Sequence, residues 1–137
     1  MFDRIKRWLD LTVFIVCLLF AFLTGAHTLN WWLGLGVALV CTPFWIWARL
    51  SLGASFSVRP EARGLVTDGL YSKVRHPVYV FGTPAVLGVL VTYLGFGAIV
   101  FAVIIAPIEV LRARREEAGL QAAFGEEYSA YKAGTWF

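Results

Sequence analysis

Asp, Glu, Lys and Arg are absent from residues 11–48 and again from residues 76–108, and apolar side chains dominate both stretches. A helix that crosses a bilayer needs about 20 apolar residues at about 1.5 Å each, so each stretch has room for two crossings joined by a tight turn. The pattern predicts an all-α membrane helical bundle of about four spans. Spans over residues 9–29 and 31–52 would flank a turn at Asn30. Spans over residues 78–94 and 96–111, each slightly short for a full crossing, would flank a turn at Gly95 and Gly97. Two polar segments remain. Residues 53–77 form a loop punctuated by Gly53, Pro60, Gly64, Gly69 and Pro77, and residues 112–137 read as a helical tail over about 112–132, helix-forming up to about Gly125 and again around residues 126–132.

Composition agrees with lipid as the solvent. Of the 137 residues, 59% are hydrophobic and 15% charged, against about a quarter charged in an ordinary soluble domain. The length suits one domain over residues 1–137. The first apolar stretch outruns a signal-peptide core and is followed at once by a second, so it reads as a retained anchor. The net charge of +3 does not indicate a nucleic-acid partner, because the basic residues stand beside the span ends. Arg4, Lys6 and Arg7 precede the first span, Arg59, Arg63, Lys73 and Arg75 occupy the loop, and Arg112, Arg114 and Arg115 follow the last span. With an even number of spans, the positive-inside rule puts both termini and the loop in the cytoplasm, as in a multi-pass protein of the bacterial inner membrane. Cys17 and Cys41 sit one in each of the first two spans without metal-ligand or disulfide spacing, and read as small buried hydrophobes; no metal site is expected.

Chemistry is concentrated at the cytoplasmic ends of the last two spans. The loop closes on Gly69-Leu70-Tyr71-Ser72-Lys73-Val74-Arg75-His76-Pro77-Val78-Tyr79. Tyr and Arg suit an interfacial anchor there, and Pro suits a first helical turn. The same place offers free N–H groups and the positive end of a helix dipole beside His76 and Tyr79, a seat for a carboxylate. On the fourth span Glu109, Arg112 and Glu116 recur at i, i+3 and i+7 and share one helix face. Glu109 stands at the membrane boundary, where a carboxylate is costly unless paired or functional. Leu120, Phe124, Tyr128 and Tyr131 give the tail an amphipathic stripe. Gly34-Leu35-Gly36 has neither a preceding strand nor a third glycine, so it is no dinucleotide fingerprint, and His27 reads as interfacial.

Three strings in order, Leu65-Val66-Thr67-x-Gly69-x-Tyr71, Arg75-His76-Pro77-x-Tyr79 and Glu116-Glu117-x-x-Leu120-x-x-x-Phe124-Gly125-x-Glu127-Tyr128-x-x-Tyr131, resemble the isoprenylcysteine carboxyl methyltransferase family and its neighbours, the phospholipid methyltransferases. The resemblance implies a membrane methyltransferase that uses S-adenosylmethionine. It assigns Arg63, Gly64, Leu65, Val66, Tyr71, His76, Pro77, Val78, Tyr79 and Glu116 to the cofactor pocket and matches Arg112 to a residue that handles the methyl acceptor. Arg63 replaces a His of the longer eukaryotic members. His76 would take the cofactor's carboxylate and Glu116 its ammonium, with Tyr71 or Tyr79 as an aromatic wall.

The acceptor implied is lipophilic, foremost an isoprenylcysteine-like carboxylate, for which Arg112 supplies a cation. A lipid amine such as phosphatidylethanolamine is the alternative within the same enzyme class, and Glu109 would then be the base. A non-catalytic membrane scaffold is the rival outside that class, and it predicts no cofactor binding.

Overall fold

The computed structural model describes residues 2–25, 27–52 and 65–137, with side chains from residue 8 onward. The helices are α1 (Phe2–Thr24), α2 (Leu29–Leu52), α3 (Pro77–Leu94), α4 (Ala98–Phe124) and α5 (Glu126–Gly134), with 3-10 turns at Gly69–Ser72 before α3 and Gly95–Gly97 between α3 and α4. Among the described residues there is no strand, only an isolated bridge between Val74 and Trp136. The chain is an all-α membrane bundle. Two helical stretches, Leu29–Leu52 and Pro77–Phe124, are long and apolar enough to cross a bilayer, the second divided by the Gly95 turn, and Trp8–Thr24 is a shorter apolar helix. Ile99, Val100, Val103, Ile104 and Leu111 of α4, like Val16, Leu19, Phe20 and Leu23 of α1, point outward. Such a surface suits hydrocarbon, where apolar side chains need no cover.

Burial along α2 falls on Trp31, Gly34, Leu35, Ala38, Thr42, Trp45, Ala48 and Arg49, steps of three and four that aim one face at a neighbour. That neighbour is α3, whose buried residues include Gly82, Ala85, Gly88 and Val89. Glycine is required at the crossing. A Cβ on Gly88 would lie 2.6 Å from the Gly34 carbonyl oxygen and 2.8 Å from the Ala38 nitrogen. Small residues let membrane helices approach backbone to backbone, where dispersion rather than water drives association. Gly34 therefore has a packing role. Helix α1 joins through Leu11 and Phe14, the Phe14 ring standing edge-on to Trp45 at 5.1 Å.

Several expectations are corrected. The first helix ends at Thr24 rather than near residue 29, because the Trp31 indole donates to the Ala21 carbonyl at 3.1 Å, the acceptor that a further helical residue would use. The turn lies over residues 25–28, and Asn30 is already inside α2, which Thr28 caps by accepting from the Trp31 N–H at 3.3 Å. The fourth helix is not short, and the tail does not begin a new helix at residue 112. Helix α4 runs unbroken for 27 residues, about 40 Å, carrying its outer turns clear of the apolar layer. The break expected in the tail near Gly125 is present: Gly125, at φ +53°, ends α4, so Leu120 and Phe124 lie on α4 but Tyr128 and Tyr131 on α5. Cys17 is exposed on the outer face and Cys41 half-buried, not core residues.

The loop-side ends of the helices are tied together. The Arg49 guanidinium donates to both carboxylate oxygens of Asp10, at 2.7 and 3.1 Å, and lies over the Trp45 ring at 5.5 Å from its centroid. This bidentate pair clamps the start of α1 to the end of α2, at the end of the bundle where α3 begins and α4 emerges.

Candidate functional site

Pro77 occupies the first turn of α3, where its missing N–H costs nothing, and it is fully buried; Val78 packs toward the core. These two residues fix the helix start. The helical turn then brings His76 and Tyr79 to the side facing α4. The Tyr79 hydroxyl donates to Glu116 Oε1, and His76 Nδ1 lies 3.8 Å from Glu116 Oε2. On its other edge, His76 Nε2 is 3.2 Å from Glu117 Oε1. His76 is buried, so its ring is held between two carboxylates with little water present.

Glu117 is the centre of charge. Besides His76, it meets Arg75 Nε at 3.4 Å and Lys132 Nζ at 2.8 Å. Burial pushes its carboxyl upward, but hydrogen bonds from Lys132 and His76 and the charge of Arg75 outweigh this and hold it below the ordinary carboxylate range. The sequence pointed to Glu116, which shares a face with Arg112. Adjacent helix residues are about 100° apart, so the paired glutamates must serve two sides, and Glu117 serves His76 and α5. That geometric signal was present in the Glu-Glu string.

Tyr71 belongs to the same cluster. Burial, with Tyr131, Glu116 and Tyr79 adding to it, pushes its phenol well above the ordinary value, so it stays neutral. Further toward the membrane on α4, Arg112 Nη1 stands 3.9 Å from Glu109 Oε1, with Arg112 half exposed and Glu109 mostly buried. Glu109 Oε2 is buried with no hydrogen-bond partner among the described residues.

The structure thus assembles Tyr71, His76, Tyr79 and Glu116, with Glu109 and Arg112 in line along α4. Leu65 and Val66 are half-buried at the edge of the described residues, and Arg63 and Gly64 lie outside them. Just before α3, the N–H groups of Arg75 and His76 donate to the carbonyls of Trp136 and Phe137, and in its first turn those of Tyr79 and Val80 donate to the His76 carbonyl.

This arrangement is carried by a recognisable chain. A family model described as phospholipid methyltransferase matches residues 29–127, from α2 through the first turn of α5. The chain belongs to the phospholipid methyltransferase family. The matched residues take in the α2–α3 crossing and every member of the His76–Glu116 cluster. The protein named protein-S-isoprenylcysteine O-methyltransferase from Schizosaccharomyces pombe is 35% identical over 96 residues, covering 62% of this chain. The chain spans 39% of that relative's length. No solved structure matches the chain.

Proposed function

We propose that this protein is an S-adenosylmethionine-dependent methyltransferase acting at the membrane on a lipophilic acceptor, by O-methylation of an isoprenylcysteine-like carboxylate. The observation that carries the reading is the meeting of His76, Tyr79 and Glu116 at the end of the bundle, with Arg112 one helical turn nearer the membrane on the same face of α4. Family membership and the name of the relative support it. Both termini and the loop face the cytoplasm in this reading, and residues 1–137 act as one domain.

The residues suit the methyl donor's chemistry. Glu116 would receive its ammonium, and His76, its ring set between Glu116 and Glu117, would offer its Nδ1–H to the donor's carboxylate. Neutral Tyr71 and Tyr79 present aromatic faces, which attract a cation such as a sulfonium. When bound, the donor supplies an activated methyl group for in-line displacement. Arg112 would grip the acceptor carboxylate with two parallel hydrogen bonds, and an acceptor already anionic needs no base. The protein's contribution is alignment of two groups that would otherwise meet rarely. The acceptor's lipid tail can stay in the bilayer while its head reaches the site.

Arg112→Lys tests the acceptor. A lysine keeps the charge but not the planar fork, so turnover on a prenylcysteine analogue should fall roughly tenfold or more while affinity for S-adenosylhomocysteine changes less than about twofold. A second reading, N-methylation of a lipid amine, is favoured by the unpartnered buried oxygen of Glu109, which could take the proton that an ammonium must lose. Unchanged activity of Arg112→Lys, or methyl transfer to lipid amines alone, would select that reading and make Glu109 the base.

A further inference from the structure

Tyr71 lies in the 3-10 turn Gly69–Ser72 and His76 just before α3, and residues 73–76 between them belong to no helix or strand, with only the isolated Val74–Trp136 bridge. They are held instead from one side by α5 and the residues after it. The Tyr131 hydroxyl donates to the Tyr71 carbonyl at 2.6 Å. The Trp136 N–H donates to the Lys73 carbonyl at 2.8 Å, the Arg75 N–H to the carbonyls of Trp136 and Phe137 at 3.1 and 2.9 Å, and the His76 N–H to that of Phe137 at 3.3 Å. The Phe137 ring stands edge-on to the His76 ring at 5.9 Å between centroids, and Thr135 ties back to the Tyr131 carbonyl at 2.9 Å. Tyr131 and residues 135–137 lie beyond the stretch matched by the family model.

We propose that residues 135–137, anchored by Tyr131, are a positioning strap that holds His76 and Tyr71 in their site geometry through backbone hydrogen bonds. The inference rests on the reading of that site as the methyl-donor site. A segment with unmatched N–H groups would sample many conformations, and a ligand that ordered it would lose affinity to that ordering. The strap fills those groups beforehand, so the His76 ring meets the donor already placed. Its action is carried by the backbone, since the Trp136 side chain is 69% exposed.

The distinction can be tested in the full chain. Trp136→Pro removes the N–H that bonds Lys73, and Thr135 at φ −121° and ψ 150° already has the extended conformation that a residue before proline adopts. Trp136→Ala keeps the N–H and removes only the indole. Calorimetric titration with S-adenosylhomocysteine should show affinity reduced about tenfold in Trp136→Pro and several-fold in Tyr131→Phe, but changed less than about twofold in Trp136→Ala. The chain has two histidines, so in a His27→Asn background His76 gives the only imidazole signal by NMR. That signal should move in ligand-free Trp136→Pro and stay in place in Trp136→Ala, which a general loss of stability would not produce. Should Trp136→Pro fail to fold, Tyr131→Phe decides by the same two readouts. The strap is overturned if the proline variant, or Tyr131→Phe in its place, binds as tightly as the wild type with an unmoved His76 signal. It is equally overturned if Trp136→Ala loses as much affinity as Trp136→Pro. Wild-type protein that binds no S-adenosylhomocysteine would instead remove the donor-site reading on which the strap rests.

Discussion

Glu116→Ala and His76→Ala are each expected to weaken S-adenosylhomocysteine binding by about 1–3 kcal/mol, roughly 5- to 150-fold, the scale for losing a hydrogen bond to a charged group. Both side chains stand where the start of α3 meets α4, His76 just before α3 and Glu116 on α4. Removing Glu116 takes away the acceptor of the Tyr79 hydroxyl and the carboxylate 3.8 Å from His76 Nδ1, so Tyr79 and His76 lose their arrangement together. Removing His76 takes from Glu116 and Glu117 the ring that each approaches on a different edge. The two losses should therefore not add: the double variant should be little worse than the poorer single one. Calorimetry on the detergent-purified variants reads this directly, and unchanged affinity in both single variants would end the assignment of the donor to this cluster.

Gly88→Leu should be the most damaging substitution for the bundle. Its Cβ would meet the Gly34 carbonyl oxygen at 2.6 Å and the Ala38 nitrogen at 2.8 Å, and both are backbone atoms of α2 that cannot swing aside. The helices must part, and every contact from Trp31 to Trp45 loosens with them. Overpacking of a tight core costs about 1–3 kcal/mol and sometimes more, and here the loss extends along a whole helix pair. Thermal unfolding in detergent, followed by size-exclusion chromatography, should show a lowered midpoint and aggregated material. Gly36→Leu is the matched control, because a Cβ there meets nothing within 4 Å. Equal stability of Gly88→Leu and wild type would contradict the α2–α3 crossing.

The bundle was legible because charge is so unevenly distributed. Two long stretches without Asp, Glu, Lys or Arg, the glycines at 95 and 97 and the proline at 77 mark helices and their ends by solvent and backbone chemistry alone. The Glu109, Arg112 and Glu116 face was legible for the same reason, being set by helical period. What stayed hidden depends on contacts between residues far apart in the chain. The Asp10–Arg49 clamp spans 39 positions, and each member by itself looks like the end of a span. Helix α4 continues past residue 112 because nothing in Arg112 to Phe124 breaks it, although polarity changes there and suggests a new element. Glu117 was passed over because its partners, Arg75, His76 and Lys132, come from two other elements. The carbonyls of Trp136 and Phe137 carry no side-chain signature, so a sequence cannot announce that they fill the N–H groups of Arg75 and His76.

On the proposed reading, this small bundle transfers a methyl group from S-adenosylmethionine to a lipid-borne acceptor. The most direct test is to incubate the purified protein in liposomes with methyl-labelled S-adenosylmethionine and, side by side, a prenylcysteine analogue and phosphatidylethanolamine. Label is expected in the prenylcysteine analogue, released as methanol by mild base as a methyl ester must be. Absence of label from every lipid-soluble acceptor, with correctly folded protein and excess donor, would contradict it.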